Sequence, residues 1–368
     1  MMTMTDKAIG LYLHIPFCKG KCPYCDFYSV IPHGDLLDDY TAALCGRLDE
    51  YGGIYNSVYF GGGTPSLLGS ERISEIMFHI TRTSDCEVTL ECNPSDTGAE
   101  NSDFDFGAVA ECGVNRISMG LQSADNGERK SLGRRAGCAE AERAINRAKK
   151  AGIENISLDL MLGIPGQTVE SLKSSVDFCR RSGAKHISAY ILKIEEGTPF
   201  FRRRNSLLLP DEDETCELYL NAVSELEKAG FKQYEISNFS QPGFESRHNL
   251  KYWHCEEYLG IGAAAHSFTG GKRFFFERSI DGFIAGNSPV GDGVGGDPDE
   301  YVMLALRLTE GLIFENYQNR FGSAVPEKLV LRAKELEKHG LTKCTDKSIS
   351  LTVQGFLVSN SVISYLLE

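Results

Sequence analysis

Cys18, Cys22 and Cys25 stand in Cys-x3-Cys-x2-Cys spacing at the end of the chain's first apolar run. Thiolates this soft and this close together select zinc, copper or an iron–sulfur cluster. A cluster with three protein ligands keeps one iron open, and an open iron is where a substrate or cofactor can bind. The competing readings are a zinc knot and unrelated buried thiols. Structural zinc takes four ligands, often in paired Cys or Cys/His halves. Only His14 lies near enough to complete such a set, and a strand would have to bend sharply to deliver it. Spacing and context favour the cluster.

Further reactive residues need elements to position them, and the elements repeat. Apolar runs at 9–15, 57–60, 86–91, 114–120, 155–162, 186–192 and 233–237 read as strands. Amphipathic stretches near 35–51, 70–83, 103–112, 138–151, 168–182 and 211–229 lie between them. Several of those helices stop at a glycine just before an apolar start, as in Gly183-Ala184, where glycine accepts the left-handed turn that ends a helix. Strands such as 156–162 are apolar at nearly every residue, as expected when both faces are covered. Repeated βα units give an open doubly wound sheet or a barrel, and in both the chemistry collects at the C-terminal strand ends. Cys18 follows the first strand, Gly61-Gly62-Gly63 the second, Glu91 the third and Gln122 the fourth, while Asp159 sits late in the fifth.

From about 240 to 298 the pattern breaks, with Gly and Pro gathering over 286–298 as in a flexible linker. Helical patterns at 299–309 and 325–339, a polar hairpin at 341–353 and a last helix at 354–367 then resemble a winged-helix module. The expected division is 1–240 for the barrel, 241–298 for a connecting region and 299–368 for the small C-terminal domain. At 368 residues the chain exceeds one ordinary core, which agrees with a large domain plus a small one.

The bulk numbers narrow the function classes. Charged residues at 24% and hydrophobic ones at 42% describe an ordinary globular chain. No apolar run is long enough to span a bilayer, and Met1 to Lys7 lack a secretory pattern, so a cytoplasmic protein is expected. Its twelve cysteines are then expected as thiols, nine of them small core residues. A net charge of −13 argues against a nucleic-acid partner, and Arg202-Arg203-Arg204 reads as a solvated loop.

The segment Leu11-Tyr-Leu-His-Ile-Pro-Phe-Cys-Lys-Gly-Lys-Cys-Pro-Tyr-Cys-Asp-Phe27 resembles the cluster loop of the radical S-adenosylmethionine superfamily. Within it, the chain is similar to the branch that holds oxygen-independent coproporphyrinogen III dehydrogenase. The resemblance implies a TIM-like parallel (β/α) barrel, partial or complete, with a [4Fe-4S] cluster on Cys18, Cys22 and Cys25. It implies S-adenosylmethionine on the open iron, its methionine end held by Gly62, Gly63 and Thr64. Glu91, Gln122, Arg134 and Asp159 correspond to cofactor-contacting positions, and the Arg134 guanidinium matches a carboxylate. Tyr12 and Tyr24 flank the cluster, where an aromatic ring can pack on adenine or shield iron. Core packing, or ion pairs at the barrel rim, is the bland reading of each.

Two departures from the dehydrogenase pattern bear on function. Those enzymes carry a fourth cysteine two residues after the third, where this chain has Phe27. In addition, His248-Asn249-Leu250-Lys251-Tyr252-Trp253 matches the His-Asn-x2-Tyr-Trp signature of a heme-chaperone group in the same branch. Neutral imidazole is a standard axial ligand of heme iron, and Tyr252 and Trp253 could offer flat apolar surface. The rival reading has the aromatic pair plug the barrel with His248 hydrogen-bonded beside it. His254, His266 and Cys255 are further candidates for the iron. A chaperone that takes up heme and hands it to an acceptor protein is therefore expected. The alternative is a radical oxidative decarboxylase of coproporphyrinogen III, which would need an electron donor.

Overall fold

In a computed structural model describing residues 7–368, six parallel strands lie side by side in chain order. They are β1 (Ile9–Ile15), β2 (Tyr55–Gly62), β3 (Arg82–Cys92), β4 (Arg116–Gln122), β5 (Asn155–Leu162) and β6 (His186–Ile191). Residues 1–6, part of the segment examined for a secretory pattern, lie outside the described residues. Each strand sends one set of side chains outward into the core, among them Leu11, Leu13, Val58, Phe60, Val88, Leu90, Ile117 and Ile156, all fully buried. The alternate set, which includes Tyr59, Glu91, Ser118, Asp159 and Ser188, faces a shared cavity inside the curve of the sheet. Two buried faces explain why these strands read as continuous apolar runs.

Helices Leu36–Tyr51, Gly69–Phe78, Phe106–Glu111, Cys138–Lys150, Val169–Ser182 and Glu212–Lys228 follow the strands in turn. Val169–Ser182 shows why such segments are helical. Thr168 caps its start by accepting from the Ser171 N–H, and Gly183 ends it at φ 73°. Strand β4 begins two residues later than the 114–120 expected. Asn115 bridges the Val88 N–H and the Cys86 carbonyl with its side chain, which holds it at the edge of β3 ahead of the ladder.

The sheet continues past both ends of the parallel set. Beyond β6, only Gln233 of the expected strand at 233–237 is in a strand, the rest forming the turn between β7 (Lys232–Gln233) and β8 (Asn238–Ser240), and β8 runs antiparallel to β6. Beyond β1 lies β9 (Tyr258–Ile261), parallel to it, followed by β10 (His266–Thr269), β11 (Lys272–Phe275) and β12 (Val290–Val294), all antiparallel. The stretch expected as a connecting region, 241–298, thus contributes four strands and the helices Arg247–Trp253 and Ile280–Ile284. These strands are only four or five residues long, and two of them contain glycine, so they are too short for a periodic signal.

After residue 298 come helices Pro298–Ala305, Phe314–Phe321 and Glu327–Glu337, a three-stranded antiparallel sheet, and helices Val353–Leu357 and Ser359–Leu367. That sheet runs β13 (Leu312–Ile313), β15 (Ser348–Leu351), β14 (Thr342–Cys344), an arrangement of winged-helix type. No helix among the described residues is long and apolar enough to cross a membrane.

Tyr40 ties the start of the barrel together. Its ring is fully buried edge-on to Phe17, 5.2 Å between centroids. Its hydroxyl donates to the His14 carbonyl at 2.8 Å and accepts from the Ala263 N–H at 2.9 Å, joining β1 to the turn after β9. Tyr40→Phe leaves both backbone groups unpaired in the interior. It should cost about 1–3 kcal/mol in urea unfolding with little change in the native circular dichroism.

Candidate functional site

The chain leaves β1 through Pro16 and the fully buried Phe17, then makes a loop closed at its neck. The Val30 N–H donates to the Pro16 carbonyl at 2.8 Å and the Cys18 N–H to the Val30 carbonyl at 3.0 Å. Within that neck Cys18, Cys22 and Cys25 are free thiols of intermediate exposure, and all three line one cavity of about 190 Å³. Gly62, Gly63, Thr64, Glu91, Gln122, Arg134, Asp159 and Tyr24 line the same cavity, so eleven of the thirteen expected site residues meet there.

The donor set fits an iron–sulfur cluster better than zinc. His14, the one candidate for a fourth zinc ligand, has both ring nitrogens engaged. Nε2 donates to the Tyr28 carbonyl at 3.3 Å, which leaves Nδ1 to accept from the Tyr12 hydroxyl at 3.0 Å. Burial lowers the His14 pKa to about 4 and keeps the ring neutral. The sulfurs meet donors instead: Thr64 Oγ1 lies 3.6 Å from Cys18 Sγ, and Arg134 Nη1 lies 3.9 Å from Cys22 Sγ.

The glycine run after β2 is there because backbone meets backbone. A Cβ on Gly63 would stand 2.5 Å from the Phe17 carbonyl oxygen, and one on Gly62, at φ 111°, 2.7 Å from the His14 ring. The Gly63 N–H donates to the Ile15 carbonyl at 2.8 Å and the Thr64 N–H to the Phe17 carbonyl at 2.7 Å. The Gly62 N–H is taken up by Glu91. The donors of this turn are therefore committed within the protein, which leaves carbonyl oxygens for a ligand such as an ammonium group.

Two carboxyls stand deep in the cavity wall. Glu91 accepts from the Tyr59 hydroxyl at 2.8 Å, yet burial raises its pKa to about 7. Asp159 is raised to about 7 as well, first by burial and then by Glu91, against the pull of Arg116 and Arg134. A cationic ligand in this cavity would ionise both. Gln122 sits at a break in the β4–β5 register with φ 70°, a left-handed conformation unusual for a side-chain-bearing residue, and accepts from the Tyr190 hydroxyl at 2.9 Å. Arg134 donates to the Gly120 carbonyl, bridging β4 to the cluster loop.

Two expected site residues fall elsewhere. Tyr12 lies behind the cavity, against Tyr59, His14 and His248 at centroid distances of 6.2, 5.9 and 6.4 Å. His248 is only 1% exposed. Its Nδ1 is 2.9 Å from Ser57 Oγ and its Nε2 2.8 Å from Tyr252 Oη, so neither nitrogen is free for a heme iron. An axial role for His248 would require both of these hydrogen bonds to break. Helix Arg247–Trp253 plugs the end of the barrel opposite the thiols, its first N–H groups held by the Glu87 carboxylate at 3.3 and 3.2 Å. Asn249, next in the motif, is the member that lines the interior cavity. Of the other candidates, His254 pairs with Glu310 at 3.0 Å, His266 stacks on Phe275 at the surface, and Cys255 is buried.

Sequence reasoning passed over Arg116, His186 and Tyr190, which also line the interior. A charged residue opening the apolar run Arg116-Ile-Ser-Met was the available signal.

Comparison with known proteins places this geometry. The family model described as radical SAM superfamily matches residues 12–179, and that described as HemN C-terminal domain matches 298–358. A Lactococcus lactis protein named heme chaperone HemW is 34% identical, with 99% of this chain and 98% of the relative covered. A Bacillus subtilis protein of the same name is 34% identical, with 97% and 98% covered. The solved coproporphyrinogen III oxidase HemN from Escherichia coli superposes with a TM-score of 0.82 at 18% identity, over 99% of this chain and 91% of that one, a likeness of fold.

Two outcomes follow from the site. Glu91 has a folded pKa of about 7, above its unfolded value, so the folded state binds more protons between roughly pH 4 and 7. Its contribution to stability is present at the acid end and is lost as pH rises to about 7. The stability of ligand-free wild type relative to Glu91→Gln should therefore fall over that window and level off above it, measured by urea unfolding. His248→Ala, which strands Ser57 and Tyr252, should lower stability by on the order of 2–4 kcal/mol in the same assay.

Proposed function

The chain belongs to the radical SAM superfamily and, within it, to the HemW group, and from that membership we propose that it binds heme and passes it to an acceptor protein. The observation that carries the reading is a cavity at the barrel mouth lined by all three free thiols and two buried carboxyls in such a chain. Cys18, Cys22 and Cys25 would hold a [4Fe-4S] cluster. The carbonyls of Gly62 and Gly63, with Thr64, Glu91, Gln122, Arg134, Asp159 and Tyr24, would hold S-adenosylmethionine. Bound there, cluster and cofactor supply one-electron chemistry at an open iron.

The chain's own residues have separable tasks. Glycine carbonyls accept from the ligand's ammonium group, and Glu91 and Asp159 answer its positive charge by ionising. Gln122 and Tyr190 brace each other across β4 and β6, and Tyr12 supports the wall from behind. Phe27 favours the chaperone over the dehydrogenase. At the place where the enzyme carries a further thiol, this chain puts an apolar ring that is 64% exposed. A cytoplasmic location, an electron donor if redox chemistry occurs, and the division at residues 240 and 298 complete the proposal.

Anaerobically reconstituted wild type should carry about four iron and four sulfide per chain, and Cys22→Ala should lose most of both. Heme titration should give a saturable Soret change that His248→Ala preserves. Conversion of coproporphyrinogen III to protoporphyrinogen, with S-adenosylmethionine and a reductant, would overturn the chaperone reading in favour of the dehydrogenase.

A further inference from the structure

Next to the cavity of the thiols lies a second one of about 370 Å³, and the two share Tyr24, Cys25, Phe27, Glu91, Asp159 and Tyr190. Arg116 forms part of its wall. This arginine opens β4, is 2% exposed, and ranks among the largest fully buried side chains of the molecule. Its single hydrogen bond is a long one, 3.4 Å from Nη1 to Thr89 Oγ1, and its Nε has no partner. Among the described residues it takes part in no direct ion pair, and the carboxyls that feel its charge, Glu91 and Asp159, are themselves held partly protonated by burial. A guanidinium cannot shed its proton, so burying it without a counter-charge is unfavourable unless something arrives to supply one.

We propose that Arg116 anchors the carboxylate of a ligand whose flat apolar body lies between Tyr24, Phe27, Ile191 and Leu192. The wall of this cavity is mixed in the way that demands. Met161 and Leu192 are apolar, and Phe27 and Ile191, exposed by 64% and 40%, form a lip through which a ligand enters from the side. A phosphate, with its second negative charge, would face Glu91 and Asp159 across the same space, so a monoanion suits the site better. The planar guanidinium grips a carboxylate with two parallel hydrogen bonds.

Two molecules supply that chemistry: a propionate arm of heme, or a free aromatic or alkyl carboxylic acid. The heme version rests on the proposed function; the Arg116–carboxylate contact does not.

The test uses the full chain with its cluster reconstituted, as wild type, Arg116→Gln, Arg116→Lys and Phe27→Asp. The probes are heme against heme dimethyl ester, and 2-naphthoate against 2-naphthamide. Wild type should prefer each acid over its neutral counterpart by about tenfold or more, as expected for a charge-assisted pair. Arg116→Gln should abolish the preference and Arg116→Lys restore part of it. Phe27→Asp, on the exposed lip, should weaken both acids without shifting the melting temperature, which keeps the test independent of any folding defect at Arg116. Binding of naphthoate with this Arg116 dependence but no binding of heme would sink the chaperone reading and leave the anchor standing with a free acid as its ligand. An Arg116→Gln protein that still prefers the acids, or a wild type that never does, would overturn the anchor itself.

Discussion

The site depends on one close approach, that of the β2 turn to the loop that carries the thiols. Two backbone hydrogen bonds, from Gly63 to Ile15 and from Thr64 to Phe17, pin the loop to the strand end. They form only because no Cβ stands between the two backbones. Once the loop is pinned, Cys18 meets Thr64, Cys22 meets Arg134, and all three cysteines line the cavity at the mouth of the barrel. The glycines therefore shape the metal site before any ligand is considered, and their remaining carbonyls are what a ligand can use.

Inside that rim the governing fact is low polarity. Burial keeps Glu91 and Asp159 partly protonated near neutral pH, although both feel the charge of Arg116, and Arg116 itself has no direct ion-pair partner among the described residues. The interior is thus poised for charged guests of both signs, a cation near the carboxyls and an anion near the guanidinium. Tyr59 and Tyr190 reach across the strands to hold Glu91 and Gln122 in place, so the polar groups are aimed before binding.

The opposite end of the barrel is closed by the helix Arg247–Trp253. Glu87 receives its first N–H groups, Ser57 and Tyr252 take up both nitrogens of His248, and Lys251 packs so tightly on β1 that a Cβ on Gly10 would come within 2.9 Å of it. A motif that suggests a heme ligand by composition is, in this structure, packed into the end of the barrel with both imidazole nitrogens hydrogen-bonded. Its one contribution to the cavity is Asn249.

The sequence alone was enough for the repeated βα units, the three thiols at the end of the first strand, and the gathering of Glu91, Gln122 and Asp159 at one rim, to which the family resemblance added Arg134. Those features rest on period, spacing and parallel topology, which are local or follow from chirality. Only the folded chain decided the rest: that β9 to β12 extend the sheet beyond β1, that the glycine N–H groups are already committed, that His248 is sealed away, and that Arg116 stands unpaired beside a cavity. Each of these is a matter of which atoms far apart in the chain end up in contact, and residue types cannot report whether a donor, an acceptor or a charge has already found its partner.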